Sequence, residues 1–211
     1  MRSLYWIGGI FVVLVLVLVY FGGGSAKITP PLEIDKINPN DHVKGLKEGA
    51  KVIVIEYADF QCPACRNYYP IMKQLEQEFG GKASFVYSHF PLTGIHMNAE
   101  FAARASEAAG KQGKFWEMHD LLFEKQEEWA TKGDFMPLFE DYATLVGISV
   151  EKFKTDFNSK EVKDLVKGYR NYGNSIGVQS TPTFYINGKK IDNPQSVEAF
   201  RILINQALKT I

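Results

Sequence analysis

Lys51-Val-Ile-Val-Ile-Glu-Tyr-Ala-Asp-Phe-Gln-Cys-Pro-Ala-Cys65 joins an apolar, β-branched run to two cysteines separated by two residues. Val52 to Ala58 is nearly continuous in its hydrophobicity, as expected of a strand buried on both faces. Pro63 then suits the first turn of a helix, where its missing N–H leaves no bond unmade. Tyr68, Ile71, Met72, Leu75 and Phe79 continue that helix at three- and four-residue spacing until Gly80-Gly81 stops it. Pro70 falls inside and is expected to kink it. A helix that begins at a strand's end presents unpaired N–H groups, and these stabilise a thiolate, the species that performs disulfide exchange. Cys62 and Cys65 are the only cysteines in 211 residues, so no structural disulfide competes for either of them.

The remaining pattern predicts an α/β domain with a helical insertion. A short edge strand is expected around His42 to Leu46. Ala83 to Phe90, ended by Pro91, reads as a second central strand, parallel to the first in a right-handed β-α-β unit. From Asn98 to about Asn174 no strand pattern appears. Helices are expected over Asn98–Lys111, Gly113–Lys125, Phe135–Val146, a short one from Val150 capped by Ser149, and Lys160–Tyr172. Thr183-Phe-Tyr-Ile186 returns to β, Asn187-Gly188 signals a hairpin, and Lys189 to Ile191 supplies the partner. Asn193-Pro194 is expected to open a last helix with Val197, Phe200, Leu203, Ile204, Ala207 and Leu208 on one face.

Three features carry chemistry. In the cysteine pair, Cys62 at the helix start is the expected nucleophile and Cys65, one turn inside, the buried resolving thiol. The competing use of such a pair, half of a zinc site, needs two further ligands. His42, His89, His96 and His119 include no pair at zinc-knuckle spacing, so no metal is expected. Glu56 interrupts the apolar strand six positions before Cys62. If buried, its carboxyl holds a raised pKa and can pass protons to and from Cys65; if the strand is frayed there, it is simply solvated. Thr181-Pro182 stands at the start of a strand, where an X-Pro bond is either cis or an ordinary trans proline. Asp59 reads as a turn or surface acid, and His119 as a packing or surface histidine. Tyr57, Phe60, Tyr68 and Tyr69 read either as core or as the lining of a substrate groove.

Glu56-Tyr-Ala-Asp-Phe-Gln-Cys-Pro-Ala-Cys65, Phe115-Trp-Glu-Met-His-Asp-Leu-Leu-Phe123 and Thr181-Pro-Thr-Phe-Tyr-Ile-Asn-Gly188, in this order, resemble the DsbA family of thioredoxin-fold thiol–disulfide oxidoreductases. The resemblance runs from about residue 42 to the end. It implies a thioredoxin-like core over 42–93 and 175–211, interrupted by a helical insertion over 94–174. It also implies a redox-active Cys62–Cys65 disulfide, Glu56 as the buried acid, and a cis Pro182 beside the cysteines. Pro63, Ala64 and Thr181 are the expected substrate contacts, and no cofactor is implied. Pro63-Ala64 lacks the histidine of strongly oxidising members, so their oxidising strength does not carry over with the resemblance. Reduced or misfolded exported proteins are the implied substrates, with a membrane quinone-linked thiol oxidase as reoxidant. A reductase or isomerase on the same scaffold is the alternative, and a non-catalytic peptide-binding chaperone is a third possibility from another class. Isomerases of the superfamily usually carry a dimerisation domain, for which Gly22 to Ala50 is too short, so a monomer is expected.

Composition fits that compartment. Leu4 to Phe21 has no charged side chain and is long enough to span a bilayer, so residues 1–21 read as a cytoplasmic stub and membrane anchor. A cleaved signal peptide is the alternative, with Gly24 and Ala26 as small residues at the cleavage positions. Residues 22–41 read as a linker, flexible at Gly22-Gly-Gly-Ser25 and stiffer at Pro30-Pro31. The catalytic domain is expected outside the cytoplasm, where disulfides persist. Lys plus Arg and Asp plus Glu number 24 each, so no bulk positive field invites nucleic acid. A hydrophobic content of 45% argues against disorder.

Overall fold

A computed structural model describes residues 36–37 and 40–210. The expected anchor or signal peptide over residues 1–21 lies outside the described residues, as does most of the linker over 22–41. Among the described residues no helix is long and apolar enough to cross a membrane.

Five strands form one sheet: β1 (His42–Gly45), β2 (Val52–Ala58), β3 (Ala83–His89), β4 (Thr183–Ile186) and β5 (Lys189–Ile191), in the order β1-β3-β2-β4-β5. β2 runs parallel to β3 and antiparallel to β4, so the strand leading to the cysteines lies at the centre of the sheet. Register sets Glu56 opposite Tyr87 on one side and Phe184 on the other. Helix α1 (Pro63–Phe79) makes the β2–β3 crossover. It buries Tyr68, Met72, Leu75 and Phe79 of the expected stripe together with Cys65, while Ile71 is half-buried against the same core. Side chains alternate across the sheet. Val52 and Val54, with Phe85, Phe184 and Ile186, therefore meet α1 and the last helix, α8 (Val197–Lys209). Ile55 and Tyr57, with Val86 and Tyr185, form the opposite core with Phe90 and Val178. Glu56 shares the α1-facing parity and so points toward the helix that carries Cys65.

Between β3 and β4 lie α2 (Ala99–Gly110), α3 (Phe115–Glu124), α4 (Gln126–Trp129), α5 (Met136–Leu145), α6 (Val150–Asn158) and α7 (Lys160–Ser175). Their core joins Ala102, Ala105, Met118, Leu122, Trp129, Phe139 and Phe153 to Phe60, Cys62, Cys65 and Tyr87. The cysteines are thus part of the apolar seam where these helices meet the sheet. Ser149 caps α6 by accepting from Lys152 N at 3.3 Å, as expected.

Three element expectations change. Asn193-Pro194 does not open the last helix; Ser196 caps it, accepting from Ala199 N at 3.2 Å, because its short hydroxyl reaches the free N–H of the first turn. Asn193 instead donates from Nδ2 to Pro182 O at 2.7 Å. The short helix α4 has too few residues to show a period. α7 runs three residues past Tyr172, and Gly173 lies within that added turn. A Cβ there would sit 2.6 Å from Phe90 Cδ2, so glycine is what lets the helix approach the end of β3.

Candidate active site

Cys62 is the N-cap of α1, with extended backbone and Pro63 as the first helical residue. The residue is buried, while Pro63 and Ala64 are exposed beside it. The Thr181–Pro182 peptide bond is cis. Cys62 Sγ lies 3.5 Å from Thr181 O, which brings the segment before β4 against the nucleophile. Cys65 is fully buried and its sulfur accepts from Asp59 N at 3.5 Å. Neither cysteine is in a disulfide in this structure.

The two thiols are strongly inequivalent. A hydrogen bond from Cys65, aided by the backbone N–H groups of Cys65 and Ala64 and opposed by burial, brings Cys62 down from about 9 to about 5. Burial pushes Cys65 well above the ordinary thiol range, and the charge of Cys62 adds to the rise. At neutral pH Cys62 is a thiolate and Cys65 a thiol. Glu56 is buried, and that burial, with repulsion from Glu76 and Cys62, raises its carboxyl to about 8. A cavity of about 10 Å³, room for roughly one water, is lined by Glu56, Tyr87, His119, Lys44, Lys73 and Glu76. Lys44 Nζ lies 2.9 Å from Glu76 Oε2 at its rim. Glu56 is thus held largely neutral at neutral pH, and its charge, when present, raises the resolving thiol further.

Amide side chains fasten the cysteine loop to the helical insertion. Gln126 is buried on α4 and donates from Nε2 to Phe60 O at 2.6 Å and Cys62 O at 3.0 Å. Gln61 donates to Ala130 O and accepts from Asn98 N, both at 2.7 Å. Asn98 Nδ2 lies within bonding distance of Trp129 O, Ala130 O and Lys132 O. Sequence reasoning missed these residues. No local signal marks them: α4, four residues long, shows no period against which Gln126 could stand out.

Asp59 is not a surface acid. Its side chain is buried and accepts from Gln61 N at 2.7 Å and Leu92 N at 2.9 Å, with His96 Nδ1 2.7 Å from the same oxygen as Leu92 N. It belongs to a turn, as expected, but the β3–α2 loop folds over it. His119 is a packing histidine, edge-on to Tyr87 at 4.7 Å between ring centres, and burial lowers it to about 4. His89 and His42 both hydrogen-bond one oxygen of the buried Glu107 at 2.9 Å. Tyr57, Phe60 and Tyr68 are core residues, Tyr68 lying against Phe184 and Phe200. Among the described residues no group of three or more His, Cys, Asp or Glu is arranged to hold a metal ion.

A family model described as Thioredoxin matches residues 38–206. The Na(+)/H(+) antiporter NhaA 3 of Salinispora tropica is 33% identical over 184 residues, 87% of this chain but 26% of that protein. The chain therefore spans about a quarter of the length of the antiporter relatives it matches. The probable disulfide bond formation protein D of Bacillus cereus is 32% identical over 172 residues, 77% of each protein. Among solved structures, oxidised BdbD of Bacillus subtilis is similar with a TM-score of 0.71 at 27% identity, covering 80% of this chain and 93% of that one.

Proposed function

Because the chain belongs to the thioredoxin family, and within it to the DsbA-like thiol–disulfide oxidoreductases, we propose that Cys62 and Cys65 form a disulfide that is passed to exported proteins. The observation that carries this reading is the placement of the thiols: Cys62 caps the start of α1, where its value falls to about 5, and Cys65 is fully buried one turn inside, where burial holds its proton. A good leaving thiolate at Cys62 makes the protein disulfide prone to accept electrons, because stabilising the reduced form favours disulfide donation.

In the oxidised protein, a substrate thiolate attacks Cys62 Sγ and breaks the Cys62–Cys65 bond. The electron pair leaves on Cys65, and Glu56, neutral below about 8, supplies the proton. The second substrate thiolate then attacks the substrate sulfur of the mixed disulfide and releases Cys62 as a thiolate. The substrate dithiol loses two electrons and two protons; the pair gains the electrons and the proton from Glu56, one substrate proton restores Glu56, and the other goes to solvent. Cys62, Cys65 and Glu56 are the catalytic groups. Pro182 holds the Thr181 backbone at the nucleophile, and Pro63, Ala64 and Thr181 face the incoming chain.

The same reading includes a core over 42–93 and 175–211 with an insertion over 94–174, working as a monomer outside the cytoplasm. The apolar sequence of residues 1–21 supports tethering to the membrane, where a quinone-linked thiol oxidase would restore the disulfide. The test is the equilibrium of the cysteine pair with glutathione buffers, together with Cys62→Ala. The expected result is a potential toward the oxidising, DsbA end of the scale and complete loss of substrate oxidation in the variant. A thioredoxin-like potential turns the assignment to reductase, and oxidation that survives Cys62→Ala ends it.

A further inference from the structure

A groove of about 660 Å³ opens beside Cys62, within the size range of sites that bind ligands, roughly 300–1,000 Å³. One wall is the β3–α2 loop from Phe90 to His96; the other is the end of α7 and the segment from Val178 to Thr181. Phe90, Leu92 and Val178 make it apolar, and Ile95 stands 77% exposed at its wall. Among the described residues no carboxylate lines it, whereas two basic side chains do, His96 and Arg170. They are in different states. His96 is answered by Asp59 at 2.7 Å. Arg170 is half-buried and donates from Nη1 to the neutral Thr93 Oγ1 at 2.9 Å, with no carboxylate partner among the described residues. A guanidinium carries five N–H donors in a planar fork that suits a carboxylate, and among the described residues one of its nitrogens is engaged.

We propose that this groove seats the segment around the substrate's reactive cysteine, and that Arg170 selects segments bearing a carboxylate side chain within two residues of that cysteine. The proposal rests on the oxidoreductase reading above and adds to it the chemistry of the preferred substrate. Arg170 is a specificity-determining residue in it, remote from electron transfer. The partial cover of the guanidinium by the groove walls strengthens its attraction for an anion relative to a fully solvated cation.

The test uses the full-length oxidised protein and two synthetic dithiol peptides that share one neutral sequence and one distal second cysteine, and differ only in carrying Asp-Asp-Cys-Asp-Asp or Asn-Asn-Cys-Asn-Asn around the first. Single-turnover oxidation rates are measured for wild type, Arg170→Met and Arg170→Lys. Acidic neighbours alter the peptide thiol itself, but that effect cancels when the Asp-to-Asn rate ratio of wild type is divided by that of Arg170→Met. A quotient of roughly three- to tenfold is expected, retained in part by Arg170→Lys and shrinking as salt rises. A quotient of one overturns the proposal. Reaction with dithiothreitol, which has no carboxylate, reports whether Arg170→Met is intact. If it is not, the wild-type salt series decides: an Asp-to-Asn ratio unchanged between about 0.02 and 0.5 M salt overturns the proposal. Two indifferently oxidised peptides remove the groove assignment alone, whereas two unoxidised peptides remove the oxidoreductase reading beneath it.

Discussion

At the scale of single residues, the site is an arrangement of three titratable groups whose ordinary values are pulled apart. Glu56 on β2 ionises near 8 because its carboxylate is denied water and faces Glu76 and Cys62. A carboxyl whose folded value is raised favours the fold fully below its unfolded value, about 4.5, and that stability is lost as pH rises through 8. Glu56→Gln is therefore expected to stabilise the reduced protein above pH 8 by of order 3–5 kcal/mol, with little effect below pH 4.5. The same change should slow single-turnover reduction of the protein disulfide by about 100-fold at neutral pH, since it removes a positioned proton donor. It should also erase the fall in rate as pH passes through 8. Urea titrations and stopped-flow rates across pH check both; a variant with the wild-type rate profile would show that Cys65 takes its proton elsewhere.

At the scale of elements, two contacts hold the cysteine loop where local structure alone does not. Gln126 on α4 satisfies the carbonyls of Phe60 and Cys62, and both are too buried to find solvent. Gln126→Ala leaves them unpaired and is expected to lower stability by about 1–3 kcal/mol, read from the midpoint of urea unfolding. The loosened loop should also react faster with an alkylating reagent at Cys65; unchanged stability and reactivity would mean the loop supports itself. Gly173 matters differently. It lets α7 pass close over Phe90, and both the helix end and Phe90 bound the groove beside Cys62.

For the whole molecule, the pH limits of the fold come from its interior. Burial lowers His119 to about 4 and lowers His89 as well. A histidine whose folded value is depressed favours the fold above its unfolded value, about 6.5, and that stability is lost as pH falls toward the folded value. Burial alone would raise Glu107, but hydrogen bonds from His42 and His89 hold it at about 2, so its contribution fades between about 4.5 and 2. Acid should thus weaken the protein in two stages, the first between pH 6.5 and 4. His119→Phe is expected to flatten that first stage, removing a pH-dependent contribution of order 2–3 kcal/mol. Thermal midpoints from pH 7.5 to 4 measure it; parallel curves for variant and wild type would assign the loss to other groups.

The sequence by itself determined the elements and the chemistry of the pair. Val52 to Ala58 read as an interior strand and Pro63 as the start of a helix, and two cysteines on that first turn are brought together by 3.6 residues per turn. Apolar spacing likewise marked five of the six helices between β3 and β4, and a lone acid in a buried strand marked Glu56. Local pattern says nothing, however, about which loops meet. Only the tertiary structure decided that α4 brings Gln126 under the cysteine loop, that the β3–α2 loop closes over Asp59, and that Arg170 reaches the groove beside Cys62. Those pairs are separated by tens of residues, and each partner has an unremarkable local sequence. Hydrophobic periodicity encodes which face of an element is buried, whereas polar partners are chosen by where the packed elements leave a donor or acceptor without water.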